Sequence, residues 1–141
     1  MTFDTVITNS HIILPTGMID KNIVIDEGKI VDFTSETPQC DKIINANGKV
    51  SLPGIIDPHI HYGVYSPIDE AAISESKVAA IGGVTTMMRM LRLSGSYKKN
   101  LDSHLTASST KHYVDYAIHA SILQKEQIDE MEFCKSKGIN S

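Results

Sequence analysis

Tryptophan is absent from these 141 residues, phenylalanine occurs three times, and cysteine only twice. Cys40 and Cys134 lie far apart in sequence, which argues against a cystine framework and fits a reducing compartment. Cys134 falls on the apolar side of an expected helix, where a free thiol behaves as a small hydrophobe. Clustered basic charge is missing as well: Lys98-Lys99 is the longest basic run and the formal net charge is −4. A nucleic-acid binder would carry a basic patch or a pI above about 9, so that class of partner is set aside. Long apolar runs are lacking too. The opening segment MTFDTVITNSHIILP has no basic stretch ahead of an apolar one. The expectation is therefore no secretory leader, no membrane span and a soluble, cytoplasmic protein.

What is present is the composition of a folded domain, with short apolar stretches divided by turn residues. Residues 1–54 read as a β-rich module. Phe3–Thr8 alternates, Ile12–Leu14 follows, and Ile23–Ile25 and Ile30-Val31 flank the hairpin signal Asp26-Glu27-Gly28-Lys29. Ile43-Ile44, then Asn47-Gly48, then Lys49–Leu52 repeat that pattern. After Pro53-Gly54 the rhythm changes to strand–helix alternation. A strand is expected over Ile55–His61 and a helix from Pro67 to Ile81, with Ser66 as N-cap, Asp69 in its first turn and Gly82 as its terminating glycine. Next come a strand over Val84–Leu91 and a helix over Leu101–His112 with Asn100 as N-cap. A strand over Val114–Leu123 precedes a helix over Glu126–Lys137 that places Ile128, Met131 and Cys134 on one face. Ile139–Ser141 reads as the entry to a further strand. Such alternation means βαβ units and a parallel sheet. A closed (β/α)₈ barrel needs roughly 200 residues or more, so residues 55–141 are expected to form an α/β portion with the barrel incomplete.

Chemistry is first visible in "PGIIDPHIH", Pro53 to His61. On a strand, residues two apart share a face, so His59 and His61 should project together with Asp57. Neutral imidazoles are good ligands for zinc and other first-row metals, and the C-terminal end of a parallel strand is where such folds build sites. Asp57 is either an acceptor that orients a ligand histidine or the cap of a turn at Pro58. The bare spacing is a weak signal. His104 and His112 read as solvent-facing, His119 as a packed histidine of the third strand, and His11 as structural.

Context sharpens the reading. The run "LPGIIDPHIHYG", preceded by a β-rich module and followed by "IGGVTTMM" and "VDYAIHASI", resembles the cyclic amidohydrolases, the group of dihydropyrimidinases (hydantoinases), allantoinases and dihydroorotases. That resemblance implies a β-sandwich module followed by the first three βα units of a (β/α)₈ barrel. It implies His59 and His61 as metal ligands, with zinc, in a binuclear centre, as the expected metal. It also implies ligands that this chain does not carry: a carboxylated lysine on strand four, histidines on strands five and six, and a catalytic aspartate on strand eight. The implied substrate is a small cyclic amide or ureide, and the implied assembly a homo-oligomer. Dihydroorotases place an arginine two residues after the second histidine, where Gly63 stands, and dihydroorotases and allantoinases tend to carry an asparagine just after strand two, where Arg92 stands; by resemblance these departures favour a hydantoinase-like substrate over dihydroorotate or allantoin. Arg92, at the mouth of the second strand, is the candidate for contacting an acidic substrate group. Two readings of other classes stand beside this one. The first is a non-catalytic truncated fragment acting through oligomer contacts, and the second is a small open α/β binding module.

Overall fold

The computed structural model describes residues 2–141, which divide into two compact units, one up to Pro53 and one from Gly54 on. Among the described residues no helix is long and apolar enough to cross a membrane.

The first unit is a four-stranded sheet in the order β3-β2-β1-β4, built from β1 (Phe3–Leu14), β2 (Gly17–Asp26), β3 (Lys29–Thr34) and β4 (Cys40–Ser51). β2 runs antiparallel to β1 and β3, whereas β4 lies parallel to β1. The expected Glu27-Gly28 hairpin is present, with both residues at positive φ (48° and 72°) as a two-residue turn between twisted strands requires. Asn47-Gly48 also takes positive φ but makes no hairpin. It forms an irregularity inside the single strand β4, opposite Asn9, where the β1–β4 register shifts between Thr8 and Ser10. The Asn45 side chain secures this point, accepting from the Asn47 backbone N–H at 2.8 Å and from the Asn9 amide at 3.0 Å. Asn9, at φ 54°, likewise turns the two expected pieces of β1 into one bulged strand.

The second unit is a parallel sheet in the order β5-β6-β7, formed by β5 (Ile55–Ile60), β6 (Val84–Arg92) and β7 (Asp115–Ser121). The connecting helices are α1 (Ile68–Ile81) and α2 (Tyr97–Ser108), and α3 (Met131–Ser136) follows a 3₁₀ turn over Lys125–Glu130. Burial along β6 alternates cleanly. Met87, Arg89 and Leu91 are buried on the helix side, Met87 against Ala71 and Ala72 of α1 and Leu91 against Tyr97 and Leu101 of α2. Thr86, Met88 and Met90 face the other way. Gly54 precedes β5 where only glycine fits, because a Cβ there would sit 2.1 Å from the Thr85 hydroxyl oxygen.

Four helix-end expectations are corrected. α1 begins at Ile68, after Pro67 in an extended conformation (ψ 141°), so Ser66 is not its N-cap. Gly82 stays helical, and the left-handed residue that ends the helix is Gly83, at φ 87°. α2 starts four residues earlier than expected, at Tyr97, because Ser96 accepts the Lys99 N–H at 3.3 Å and serves as the cap in place of Asn100. The last helix is broken at Glu130-Met131, and Ile128, expected in the core, is 58% exposed. Its neighbour Gln127 is fully buried instead. Cys134 is buried as expected, and both cysteines are free.

Candidate metal-binding strand end

β5 carries the histidine pair at its C-terminal end, with His59 inside the strand and His61 one residue past it. Ile60 packs toward α1, in register with Arg89, so the flanking His59 and His61 project to the opposite face of the sheet. Their Nε2 atoms lie 3.1 Å apart and both side chains are exposed. Two nitrogens bound at about 2.0–2.1 Å to one tetrahedral zinc stand about 3.3 Å apart, so the pair fits as two ligands of a single ion. Among the described residues no group of three or more His, Cys, Asp or Glu side chains comes close enough to hold a metal. Counted as ligands, the two histidines would be one short of the three that a protein zinc site needs.

Asp57 does not follow the strict alternation expected of it. The β5–β6 register pairs Asp57 with Met87 and Ile60 with Arg89, which leaves an extra residue on β5 around Pro58. Asp57 is thereby in register with helix-side positions. Its carboxylate folds back on its own chain and accepts the His59 backbone N–H at 3.0 Å, a cap on the Pro58 turn. Arg92 closes β6, exposed, and shares the alternation of Met88 and Met90 on the face that bears the histidines.

Behind this face lies a polar network that the sequence reading missed. Tyr62, directly after His61, is buried, and its hydroxyl sits 2.7 Å from Nε2 of His112. The His112 ring stacks on Tyr116 at a centroid distance of 3.9 Å. The Tyr62 carbonyl accepts the Nε–H of Arg89 at 3.2 Å, and the guanidinium lies 5.1 Å from the Tyr62 ring centroid. Burial pushes the Tyr62 hydroxyl up to about 12 and holds the Arg89 guanidinium below its ordinary value. Burial also lowers His112, opposed by the Ser108 backbone, and lowers His104, with Arg89 adding to the effect. These two histidines are half-buried and not solvent-facing; His112 lies in a segment pinned against α1, where the Tyr113 N–H donates to Ser76 Oγ at 3.0 Å. A usable signal for Arg89 did exist, since a charged residue occupies a buried phase of the β6 alternation between Met87 and Leu91.

The first unit has its own concavity of 570 Å³, lined by His11, Asp20 and Asn47 among others. His11 Nδ1 lies 2.6 Å from Asp20 Oδ1, an exposed hydrogen bond that gives it a structural contact within the sheet.

No family model matches the chain. Individual proteins do. The allantoinase of Bacillus licheniformis is 36% identical over 94 residues, covering 64% of this chain and 21% of the relative. The allantoinase of Desulfitobacterium hafniense strain Y51 is 28% identical over 146 aligned positions, covering 99% of this chain and 32% of the relative. A solved D-hydantoinase superposes with a TM-score of 0.82 at 24% identity, over 97% of this chain and 32% of that one. The chain is thus similar to proteins named allantoinase, and its fold to that of a hydantoinase, all of them cyclic amidohydrolases. It spans about a third or less of the length of the relatives it matches, and the superposition shows a shared fold of mixed α/β sheets. The histidine pair sits at the end of β5, the first strand in sequence of the parallel sheet.

Proposed function

We propose that the chain contributes the first metal-binding strand of a hydrolase of cyclic amides, with His59 and His61 holding one divalent ion, zinc in the first instance. The observation that carries this reading is the pair of Nε2 atoms 3.1 Å apart on one exposed face at the C-terminal end of β5. The homology to allantoinases, with further relatives named L-hydantoinase and dihydroorotase, supports a small cyclic amide or ureide as the substrate class. When bound, a divalent ion of this kind lowers the pKa of water toward 7 and polarises an amide carbonyl. The residues of this chain do the positioning. His59 and His61 present their Nε2 atoms together, and Asp57 fixes the backbone that carries His59. Arg92 stands on the same face as a guanidinium for an acidic substrate group. The units from Gly54 on form the opening part of a (β/α)₈ barrel in this reading, and the remaining ligands belong to the two thirds of the relatives that these residues do not span.

Gly63 bears on the choice of substrate. It adopts φ 71°, and a Cβ there would lie 2.7 Å from Ile68 Cδ1. With this backbone, position 63 holds no side chain that could pair with a substrate carboxylate, which favours a hydantoinase-like substrate over dihydroorotate. The reading carries with it a cytoplasmic, homo-oligomeric enzyme, and two free cysteines fit the reducing setting.

The test is metal binding by the purified protein, followed with Co(II) and a competing chromophoric chelator. The wild type should take up one ion weakly, and His59→Asn or His61→Asn should each weaken uptake at least tenfold. Hydantoin, dihydrouracil and allantoin should not be turned over by these 141 residues alone, for want of a third ligand. Unchanged uptake in both variants sinks the ligand assignment.

A second reading is favoured by the exposed apolar side chains of the second unit, Ile55, Ile56 and Ile81 among them. They fit a non-catalytic chain that self-associates. A concentration-independent monomer by analytical ultracentrifugation at tens of micromolar removes that reading.

A further inference from the structure

Arg89 is the least expected residue of the second unit. Its side chain is 4% exposed, and it lies in the apolar layer beside Met87 and Leu91. Neither ion pair among the described residues includes it, and one of its terminal nitrogens, Nη1, has no hydrogen-bond partner. Burying a guanidinium without a carboxylate is expensive, and an apolar side chain in that slot would pack at no such penalty. A group kept there against that penalty has to do something that an apolar residue could not. What it does is visible in its contacts. The Nε–H reaches across to β5's outgoing chain and holds the Tyr62 carbonyl at 3.2 Å, while the guanidinium plane lies near the face of the Tyr62 ring. The chain at this point has just left β5. The next residue, Gly63, turns at φ 71°, and a Cβ there would stand 3.3 Å from Nη2 of Arg89. The turn is thus closed directly over the guanidinium. At its other end the Tyr62 ring is held through its hydroxyl by His112, which stacks on Tyr116 of β7.

We propose that Arg89 is the positioning residue for His61: from β6 it fixes the backbone at Tyr62 and Gly63, and so sets the direction in which the imidazole of His61 leaves the sheet. The inference rests on the reading of His59 and His61 as ligands of one ion. His59 needs no such help, since it lies within β5 and its N–H is capped by Asp57. His61 lies one residue past the last paired position of β5, next to the Tyr62 carbonyl that Arg89 holds.

The test compares Arg89→Met, which fills the slot without the donor, Arg89→Lys, which keeps the charge without the planar fork, and Leu101→Ala, a destabilised control in the core of α2. Co(II) affinity is measured by chelator competition, and folding by circular dichroism and urea unfolding. Arg89→Met should remain folded and bind Co(II) at least tenfold more weakly, Arg89→Lys should recover less than half of that loss on a logarithmic scale, and Leu101→Ala should lose stability yet keep wild-type affinity. Affinity within twofold of wild type in folded Arg89→Met overturns the inference while leaving the ligand assignment intact. If His61→Asn binds as well as wild type, the ligand assignment fails and the positioning role falls with it. Should Arg89→Met not fold, Arg89→Lys decides alone, with wild-type affinity counting against the inference and a tenfold loss for it.

Discussion

Gln127 offers the sharpest test of how the second unit is held together. It is fully buried, and its amide makes four hydrogen bonds to backbone groups. The oxygen accepts from the N–H groups of Leu123 (2.7 Å) and Gln124 (3.0 Å), in the loop after β7. The nitrogen donates to the carbonyls of Leu93 (2.9 Å) and Gly95 (2.8 Å), in the loop after β6. One side chain therefore joins the loops that follow two neighbouring parallel strands. Gln127→Leu keeps much of the volume and removes all four bonds. At a net ~0.5–1.5 kcal/mol each, with part of the penalty for the backbone groups left unpaired, the loss is about 3–5 kcal/mol. With a urea slope of ~1–3 kcal/mol per molar, the midpoint should fall by about 2 M. Ile128→Ala, one residue on, should change it by less than about 0.5 kcal/mol because that side chain is exposed. Gln127→Glu separates donors from acceptors. Its carboxylate still accepts from Leu123 and Gln124 but faces the Leu93 and Gly95 carbonyls, so the folded state raises its pKa above the unfolded value of ~4.3. A raised folded pKa means stability that is present below the unfolded value and lost as pH rises through the folded one. The deficit of Gln127→Glu relative to wild type should accordingly be smaller at pH 4 than at pH 7. Urea unfolding followed by far-UV circular dichroism reads all three variants. A loss under about 1 kcal/mol for Gln127→Leu, or a larger one for Ile128→Ala, would refute the account.

Three further outcomes can be checked in the same protein. Gly54→Ala drives a methyl group into Thr85 and should cost about 1–3 kcal/mol; Thr85→Ala in the same chain should recover part of it, and additivity in the double-mutant cycle would disprove the contact. Burial, with Glu130 nearby, raises the Cys134 thiol, so a disulfide reagent at pH 8 should label half-buried Cys40 promptly and Cys134 only at the rate of unfolding; equal rates would contradict this. His104 and His112 are depressed chiefly by burial. A depressed histidine contributes stability that is complete above its unfolded pKa of ~6.5 and lost as pH falls through the folded value. Stability should therefore decline below about pH 6.5, with a shallower slope in His104→Gln; an unchanged slope would remove His104 from the explanation.

Local signals carried the reading a long way. The strand–helix alternation from Ile55 on, the Glu27-Gly28 hairpin and the shared face of His59 and His61 all follow from periods and turn residues within a few positions of one another. What escaped was decided by partners distant in sequence. Asn47-Gly48 has the chemistry of a hairpin turn, yet β1 pairs along both halves of β4 and turns it into a bulge. Asn100 is a better cap by type than by place: Ser96 sits where the Glu130 carboxylate, thirty-four positions away, accepts both its hydroxyl and the Tyr97 N–H. Gln127 carries no local signal of burial, being a polar residue beside Ile128 on the expected helix. It is buried because four backbone groups in two remote loops need it.

The same contrast explains why the histidine pair was found and its support was not. Two imidazoles on alternate positions share a face under any regular strand, so their meeting needs only the period of two. The extra residue at Pro58 lies ahead of both and leaves their relation untouched, while it shifts Asp57 to the helix-side register and frees its carboxylate for the His59 backbone. Tyr62, Arg89 and the pair His112 and Tyr116 come from three separate stretches of chain. Only the packing of α1, β6 and β7 brings them behind the strand end. Of these, Arg89 alone broke a local rule, as a charge at a buried phase of an apolar strand, and that is the residue through which β6 reaches the backbone just past His61. A local rule broken at a buried position is where a search for supporting residues should begin in such a strand.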